Sequence, residues 1–481
     1  ALSPSHTRPP SLSPLSLSSQ DITACEPDSR VTLDANAAER AGRPSSAPSP
    51  TPDDPRFGEQ WNLRAIRVPP AWAATGDLGT AAVRVCVVDT GVDVAHPDLA
   101  ANIAVNPGEA AGRLLAAAAR RAGKKDTPGG SPPAALLAPD GTDGDGNGIP
   151  DDIHGAAFLN GLASGDVTDD NGHGTFVAGV IGAVGNNALG IAGINQVSAL
   201  IPCKFMDAGG GGWVSDAIRC WEYCLSRGAH VISNSWGGGA ASAALRVGVA
   251  HAAERGVLLV TSAGNDAADT DATPHFPSTL PDDIILSVAA STQAGTLWPK
   301  SNYGQRSVDV AAPGEKVLST GPGGGFITLS GTSMATPHAA GAAALVLQQF
   351  ARLGWDLDTV PPAVGLGLQA KRALIKTARP LAAPPGMAKA PPLAGGLLDV
   401  AAALAAVPRP PASVAKAAPT LGSDPASLAA AVARPAGDTV FYSTPDGAVI
   451  GASELSEPGP RSRTAGAPYT GALANVLSGS G

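Results

Sequence analysis

Charge is scarce in this chain and aromatic rings are scarcer. Asp, Glu, Lys and Arg make up 15% of its 481 residues, and Phe, Trp and Tyr only 4%. The 41 acids outnumber the 32 bases for a net charge of −9, which excludes a general nucleic-acid binder. The one basic cluster, Arg120, Arg121, Lys124 and Lys125, lies in a Gly/Pro-flanked stretch and reads as a solvated surface segment. No run of about 18 apolar residues occurs, so the sequence offers no transmembrane helix. Five cysteines, Cys25, Cys86, Cys203, Cys220 and Cys224, form no recognisable disulfide framework or zinc spacing. Cys86 and Cys203 lie in apolar strand-like runs and read as small buried hydrophobes. Cys220 and Cys224, four apart, share one face of an expected helix. The chain starts at Ala without a basic-then-apolar leader, so any targeting segment is expected to lie outside this numbering.

What the chain does have is glycine (59), proline (44) and a great deal of alanine. Residues 1–52 are rich in Ser and Pro and are expected to be disordered, as is the Ala/Pro/Gly-rich tail at 408–481. Within the tail, Gly437 to Ser453 offers at most a small strand pair. Between these ends lies one domain, 53–407, interrupted at 111–139 by an expected surface insertion. Short β-branched runs alternate there with helical patterns. Ala82–Val88, Val197–Phe205, His230–Ser235, Gly256–Ser262 and Ile284–Ala289 read as strands. Trp213–Arg227 and Ala241–Arg255 read as helices. This alternation predicts an α/β fold of three layers, α/β/α, around a mostly parallel central sheet. Ligand sites in such sheets lie at the carboxyl ends of the strands, where Asp89, Ser235 and Asn265 all fall.

Ser330 to Gly341 is the most telling stretch. A glycine and several hydroxyl residues lead into small apolar residues, and Pro337 fits a first helical turn. Ser333 is thereby placed at a helix N-terminus, where unpaired N–H groups favour a developing negative charge. An acyl-transfer nucleophile suits that position, and so does a plain N-capping serine. Two rival assignments fail. His338 is five residues beyond Ser333, about 140° round the helix, and is expected to be structural. Asp89-Thr90-Gly91 spells the aspartic-protease signature, but no second Asp-Thr/Ser-Gly exists to supply the paired carboxylate.

Three segments together resemble the motif blocks of the subtilisin-like serine proteases, in that family's order of Asp, His, Ser. They are Val87-Val88-Asp89-Thr90-Gly91-Val92-Asp93 with His96-Pro97-Asp98-Leu99, Asn171-Gly172-His173-Gly174-Thr175, and Gly331-Thr332-Ser333-Met334-Ala335-Thr336-Pro337-His338. The resemblance runs from about residue 53 to 407. It implies a serine endopeptidase acting on proteins or peptides, with Ser333 as nucleophile, His173 as base and Asp89 orienting the imidazole. Asn265 matches the family's side-chain oxyanion donor. A non-catalytic peptide-binding relative of the same fold is the alternative.

The resemblance also implies a cleft for an extended peptide. Ser235, Trp236, Gly237 and Gly238 match one substrate strand, Ala263 and Gly264 the opposite pocket wall, and Gly211 and Trp213 the other edge strand. Trp236 stands where the family usually has leucine, which narrows the deeper subsite, and the glycines from Gly209 leave that edge open and mobile. No catalytic cofactor is implied. Structural calcium is expected at two places. Asp98 and Asn187, with the carbonyls of Leu189 and Ile191, match a family site completed by Asp54 or Gln60. Asp143, Asp145, Asn147 and Asp151 have the spacing of the start of a calcium loop, although His154 stands where a bidentate Glu would close it. A monomer in the secretory pathway or outside the cell is expected. Residues 1–52 lack the pattern of a folded inhibitory propeptide.

Overall fold

The computed structural model describes residues 30–33, 52–76, 78–112, 139–357, 365–383, 390–410, 440–443 and 449–452. The expected basic cluster, most of the 111–139 insertion and most of both termini lie outside the described residues. β-branched runs account for the sheet. In chain order the elements are β1 (Arg30–Leu33), α1 (Trp61–Ala65), α2 (Val68–Thr75), β2 (Gly79–Asp89), β3 (Ala156–Leu159), β4 (Leu162–Ser164), α3 (His173–Gly182) and β5 (Val197–Lys204). Then come β6 (Gly211–Trp213), α4 (Val214–Ser226), β7 (Val231–Asn234), β8 (Trp236–Gly237), α5 (Ala243–Glu254), β9 (Leu258–Ser262) and β10 (Ile285–Ser291). The domain closes with β11 (Val310–Pro313), the hairpin β12 (Val317–Gly321) and β13 (Gly325–Leu329), then α6 (Thr332–Arg352), α7 (Leu366–Thr377) and α8 (Val400–Ala405). Val440–Ser443 and Val449–Ala452 pair antiparallel, as the small strand pair read from the tail.

The main sheet has the order β11-β10-β9-β7-β2-β5-β3-β4. Its pairings are parallel except for β3 with β4. The strand order reverses at β2, which lies between β7 and β5, and this is where an α/β sheet opens a crevice. Alternation along β2 sorts the core into two. Val83, Val85 and Val87 join α3 and α6 on one face, while Cys86 and Val88 join α4 and α5 on the other. The three-layer α/β/α fold is the one expected.

Two findings depart from the sequence reading. Cys86 bonds Cys224 and Cys203 bonds Cys220, so two disulfides tie α4 to the neighbouring strands β2 and β5. The cysteines read as plain hydrophobes are cross-links. Spacing along the chain could not show this, because the partners meet only once the helix lies across the sheet. The second departure is β1: residues 30–33, inside the stretch expected to be disordered, form the middle strand of a small sheet, β6-β1-β8.

Candidate active site

Asp89 ends β2, and its Oδ1 lies 2.7 Å from Nδ1 of His173, with both side chains almost wholly buried. Gly172 reaches the start of α3 with φ +102°, so the imidazole is delivered from the first helical residue. Gly174 is required by close approach, since a Cβ there would lie 2.0 Å from the Gly91 carbonyl. The motif glycines thus let α3 seat His173 against the Asp89 loop.

Two residues that the sequence reading passed over fasten this arrangement. Buried Asp169 accepts from Thr90 Oγ1 (2.8 Å), Gly172 N (2.8 Å) and Thr175 N (2.8 Å), joining the Asp89 loop to the start of α3. Buried Lys204 donates to the Thr90 carbonyl, to Asp170 (2.7 Å) and to the Met206 carbonyl (2.9 Å). A charged residue at a sheet's carboxyl end, bracketed by apolar neighbours, was the available signal.

Ser333 is the second residue of α6. Its hydroxyl donates to the Ser235 carbonyl (2.8 Å), and Ser235 Oγ donates to the Ser333 carbonyl (2.9 Å). Pro337 explains the second bond. It lies in the second helical turn rather than the first, and its missing N–H leaves the Ser333 carbonyl without the usual i+4 donor. Asn265 Oδ1 accepts from Thr332 N (2.9 Å) and Thr332 Oγ1 (3.1 Å). Those two donors fix the amide plane beside Ser333, with the oxygen facing α6. His338 is structural, as expected. Its Nδ1–H donates to the Met334 carbonyl (2.8 Å) and Nε2 accepts from Asn62 Nδ2 (2.8 Å). Complete burial pushes its pKa down to about 4.

The residues assigned to the peptide cleft hold a peptide strand, and it is the chain's own. On β6, Arg30, Val31 and Thr32 face Trp213, Gly212 and Gly211. On β8, Thr32 and Leu33 face Gly237 and Trp236. Leu33 N donates to the Gly210 carbonyl (3.2 Å). Val31 is buried in the core cluster that contains Trp236. The glycine edge is therefore filled rather than open. A Cβ on Gly211 would fall 2.3 Å from the Arg30 guanidinium, and one on Gly210 would fall 2.7 Å from Leu33 Cδ1. Arg30 also pairs with Asp207 at 3.2 Å. Trp236 narrows nothing by intrusion. It lies fully buried beneath the strand, 4.9 Å from the Phe205 ring and 6.0 Å from Trp221. Gly238, with φ +113°, faces open space. Ala263 is fully buried and Gly264 leads into Asn265.

Of the calcium candidates, Asp98 is fully buried and accepts from Asn187 Nδ2 (2.8 Å) and Ile191 N (3.0 Å). Asn187 Oδ1 is taken by Leu189 N (2.9 Å). Asp54 is buried close by, and its Oδ1 has no hydrogen-bond partner. Burial raises the pKa of both acids, and the charge of Asp54 adds to the rise at Asp98. Two like charges out of water with an orphaned oxygen suit a cation. The Gln60 amide is engaged on the backbone N and O of Ala192.

The acidic loop is assembled differently from the expectation. Asp143 and Asp145 meet Glu109, with ligand atoms within 4.8 Å of one another. Asp151 instead turns away at φ +63° to accept from Asp140 N and Gly141 N. Asn147 Oδ1 is engaged by Ile149 N (2.8 Å). Glu109 was missed because it precedes the insertion by sequence and reaches the loop only through the fold.

Against this geometry, the family model described as "Subtilase family" matches residues 80–396, and the chain belongs to that family. It is 34% identical over 305 residues to "Subtilisin-like protease 1" of Plasmodium falciparum, covering 60% of this chain and 40% of that protein. The protein of the same name from Plasmodium vivax is 34% identical over 304 residues, covering 60% and 44%. "Subtilisin Savinase" of Lederbergia lenta is 40% identical over 195 residues, covering 40% of this chain and 69% of its own length. The chain thus spans less than half the length of the two Plasmodium relatives.

Proposed function

We propose that this chain is a serine endopeptidase, and the buried Asp89–His173 contact of 2.7 Å is the observation that carries the reading. In the reaction, Ser333 Oγ adds to the carbonyl carbon while its proton passes to His173 Nε2. The C–N bond then breaks, and His173 returns that proton to the departing amine. Water repeats the sequence on the acyl-enzyme, releasing the acid and restoring Ser333. Asp89 holds Nδ1 protonated so that Nε2 is the basic atom. The Asn265 amide and the Ser333 backbone N–H serve the oxyanion; in a subtilisin, loss of one such donor lowers turnover about 10²–10³-fold. In the present arrangement the Ser333 hydroxyl faces the Ser235 carbonyl, so attack requires a rotation about its Cα–Cβ bond.

Fluorophosphonate labelling tests this. Labelling is expected in the unmodified chain and absent in Ser333→Ala, with casein proteolysis lost by about 10⁶-fold, as for a subtilisin without its nucleophile. Equal labelling of both proteins sinks the reading, and the absence of both labelling and proteolysis in the unmodified chain favours the peptide-binding alternative.

Calcium is proposed as a structural ion, held by Asp54 and Asp98 in one place and by Glu109, Asp143 and Asp145 in the other. A ligand bound only by the native state adds RT ln(1 + [L]/Kd), about 2.7 kcal/mol at a hundred times Kd. Chelation is therefore expected to lower the melting temperature, and Asp98→Asn to remove most of that response. An unchanged melting temperature counts against both sites. The two disulfides fit an oxidising compartment, the secretory pathway or outside the cell, and a monomer is proposed. No helix among the described residues is long and apolar enough to cross a membrane.

A further inference from the structure

Asp207 stands at the neck of the loop that carries β6, and its carboxylate is fixed by that loop. Met206 bridges Gly212 across the neck. Asp207 N donates to the Gly211 carbonyl (2.9 Å), and the Asp207 carbonyl accepts from Gly210 N (2.9 Å). Oδ1 accepts from Gly209 N (2.9 Å) and Gly211 N (3.1 Å). Oδ2 is left for the strand in the cleft, where it accepts from Arg30 Nη2 (3.2 Å).

Arg30 faces Trp213 in the ladder, but its guanidinium reaches diagonally to Gly211. A Cβ on Gly211 would fall 2.7 Å from Nε and 2.8 Å from Cζ, and the three atoms nearest to it all belong to Arg30. Gly211 has no left-handed φ, so its backbone does not demand glycine. The guanidinium lying over it does. A fixed acid beside a bare stretch of backbone is a seat for a planar cation. The register of β1 places that seat along a peptide. Leu33 faces Trp236, Thr32 faces Gly237, Val31 is buried, and Arg30 is three residues before the one opposite Trp236.

We propose that Asp207 is a specificity-determining residue, making this cleft favour peptides with arginine three residues before the one opposite Trp236. The proposal rests on the peptidase reading and specifies its substrate class. The two side chains are 58% and 53% exposed, so the pair is partly screened by solvent. Because Oδ1 is already anchored, binding orders only the arginine, and the preference over glutamine is expected at roughly 3–5-fold, the upper end for an exposed pair.

The experiment uses the full chain and three peptides with its own sequence from 28 to 37, carrying Arg, Gln or Glu at the place of Arg30. Each slows fluorophosphonate labelling of Ser333 as it occupies the cleft, whether or not it is cleaved. The chain's own strand competes with all three alike, so it cancels from their ratios. Half-protection is expected at a concentration roughly 3–5-fold lower for the Arg peptide than for the Gln peptide, with the Glu peptide weakest. In about 1 M salt the three are expected to converge. Asp207→Asn keeps an oxygen for Gly209 N and Gly211 N and is expected to bring the Arg-to-Gln difference close to nothing. Gly211→Ala is expected to reduce it by displacing the guanidinium. Equal protection by the Arg and Gln peptides in the unmodified chain overturns the proposal, and so does a difference that Asp207→Asn leaves unchanged. Should Asp207→Asn fail to fold, the unmodified difference, its salt dependence and Gly211→Ala still decide. Labelling that none of the peptides slows overturns the role of Asp207 alone. No labelling of the unmodified chain overturns the peptidase reading beneath it.

Discussion

The two faces of the central sheet are held by different physics. On the face that carries Ser333, α6 presents Ala339, Ala340, Gly341, Ala342, Ala343 and Ala344, all buried, and no cross-link occurs there among the described residues. Its hold is proximity: small side chains let a 21-residue helix lie close against the strands. The opposite face is packed with large rings, Trp221, Trp236 and Phe205, and stapled by two disulfides through α4. Covalent bonds fix the position of that helix. Under the proposed function, a nucleophile needs its backbone placed closely, whereas the wall beneath a substrate strand needs bulk. The sequence composition of each face follows from that division.

The largest effect is expected on the stapled face. Replacing Cys86 and Cys224 by Ala closes no loop across 138 residues of chain in the unfolded state. It is expected to cost about 2–4 kcal/mol by denaturant unfolding. Removing the Cys203–Cys220 bond, across 17 residues, is expected to cost less. Equal costs would show that strain or packing, rather than chain entropy, sets the contribution.

On the Ser333 face the sharpest probe is pH. His338 is buried neutral with a pKa of about 4, and unfolding returns it to 6.5. Between these values the unfolded chain binds the extra proton, so this contribution is complete above pH 6.5 and is lost as the pH falls towards 4. A shift of this size corresponds to about 3 kcal/mol. Melting curves at pH 7 and 4.5 should show the loss, and His338→Gln should flatten it.

The smallest effect tests proximity directly. Ala340→Leu adds bulk to a fully buried position and is expected to cost about 1–3 kcal/mol through overpacking. A similar enlargement at Ala252 of α5, where the neighbours are large, should be tolerated better. If both cost the same, the two faces do not differ in the way their compositions suggest.

Much of this was legible in the chain. β-branched runs such as Val83–Val88 announced the strands, and the Asp89, His173 and Ser333 segments each carry the glycines that their backbone geometry demands. What escaped the reading was what the fold creates at a distance. Arg30–Leu33 has no periodicity of its own and becomes a strand only because two glycine-bearing edges accept it. The cysteine pairs and Glu109 beside Asp143 are likewise meetings across the fold. Pro337 misled because its cost falls on one carbonyl, which Ser235, between β7 and β8, satisfies.

The strand at 30–33 sets a condition on every measurement of peptide binding made to test the proposed function. While its covalent connection to the domain is intact, an incoming peptide competes with a rival that dilution does not weaken. Free peptide must outcompete it to win the groove, however well it fits. Cutting the tether turns the same strand into an ordinary dissociable ligand, diluted to the concentration of the protein itself.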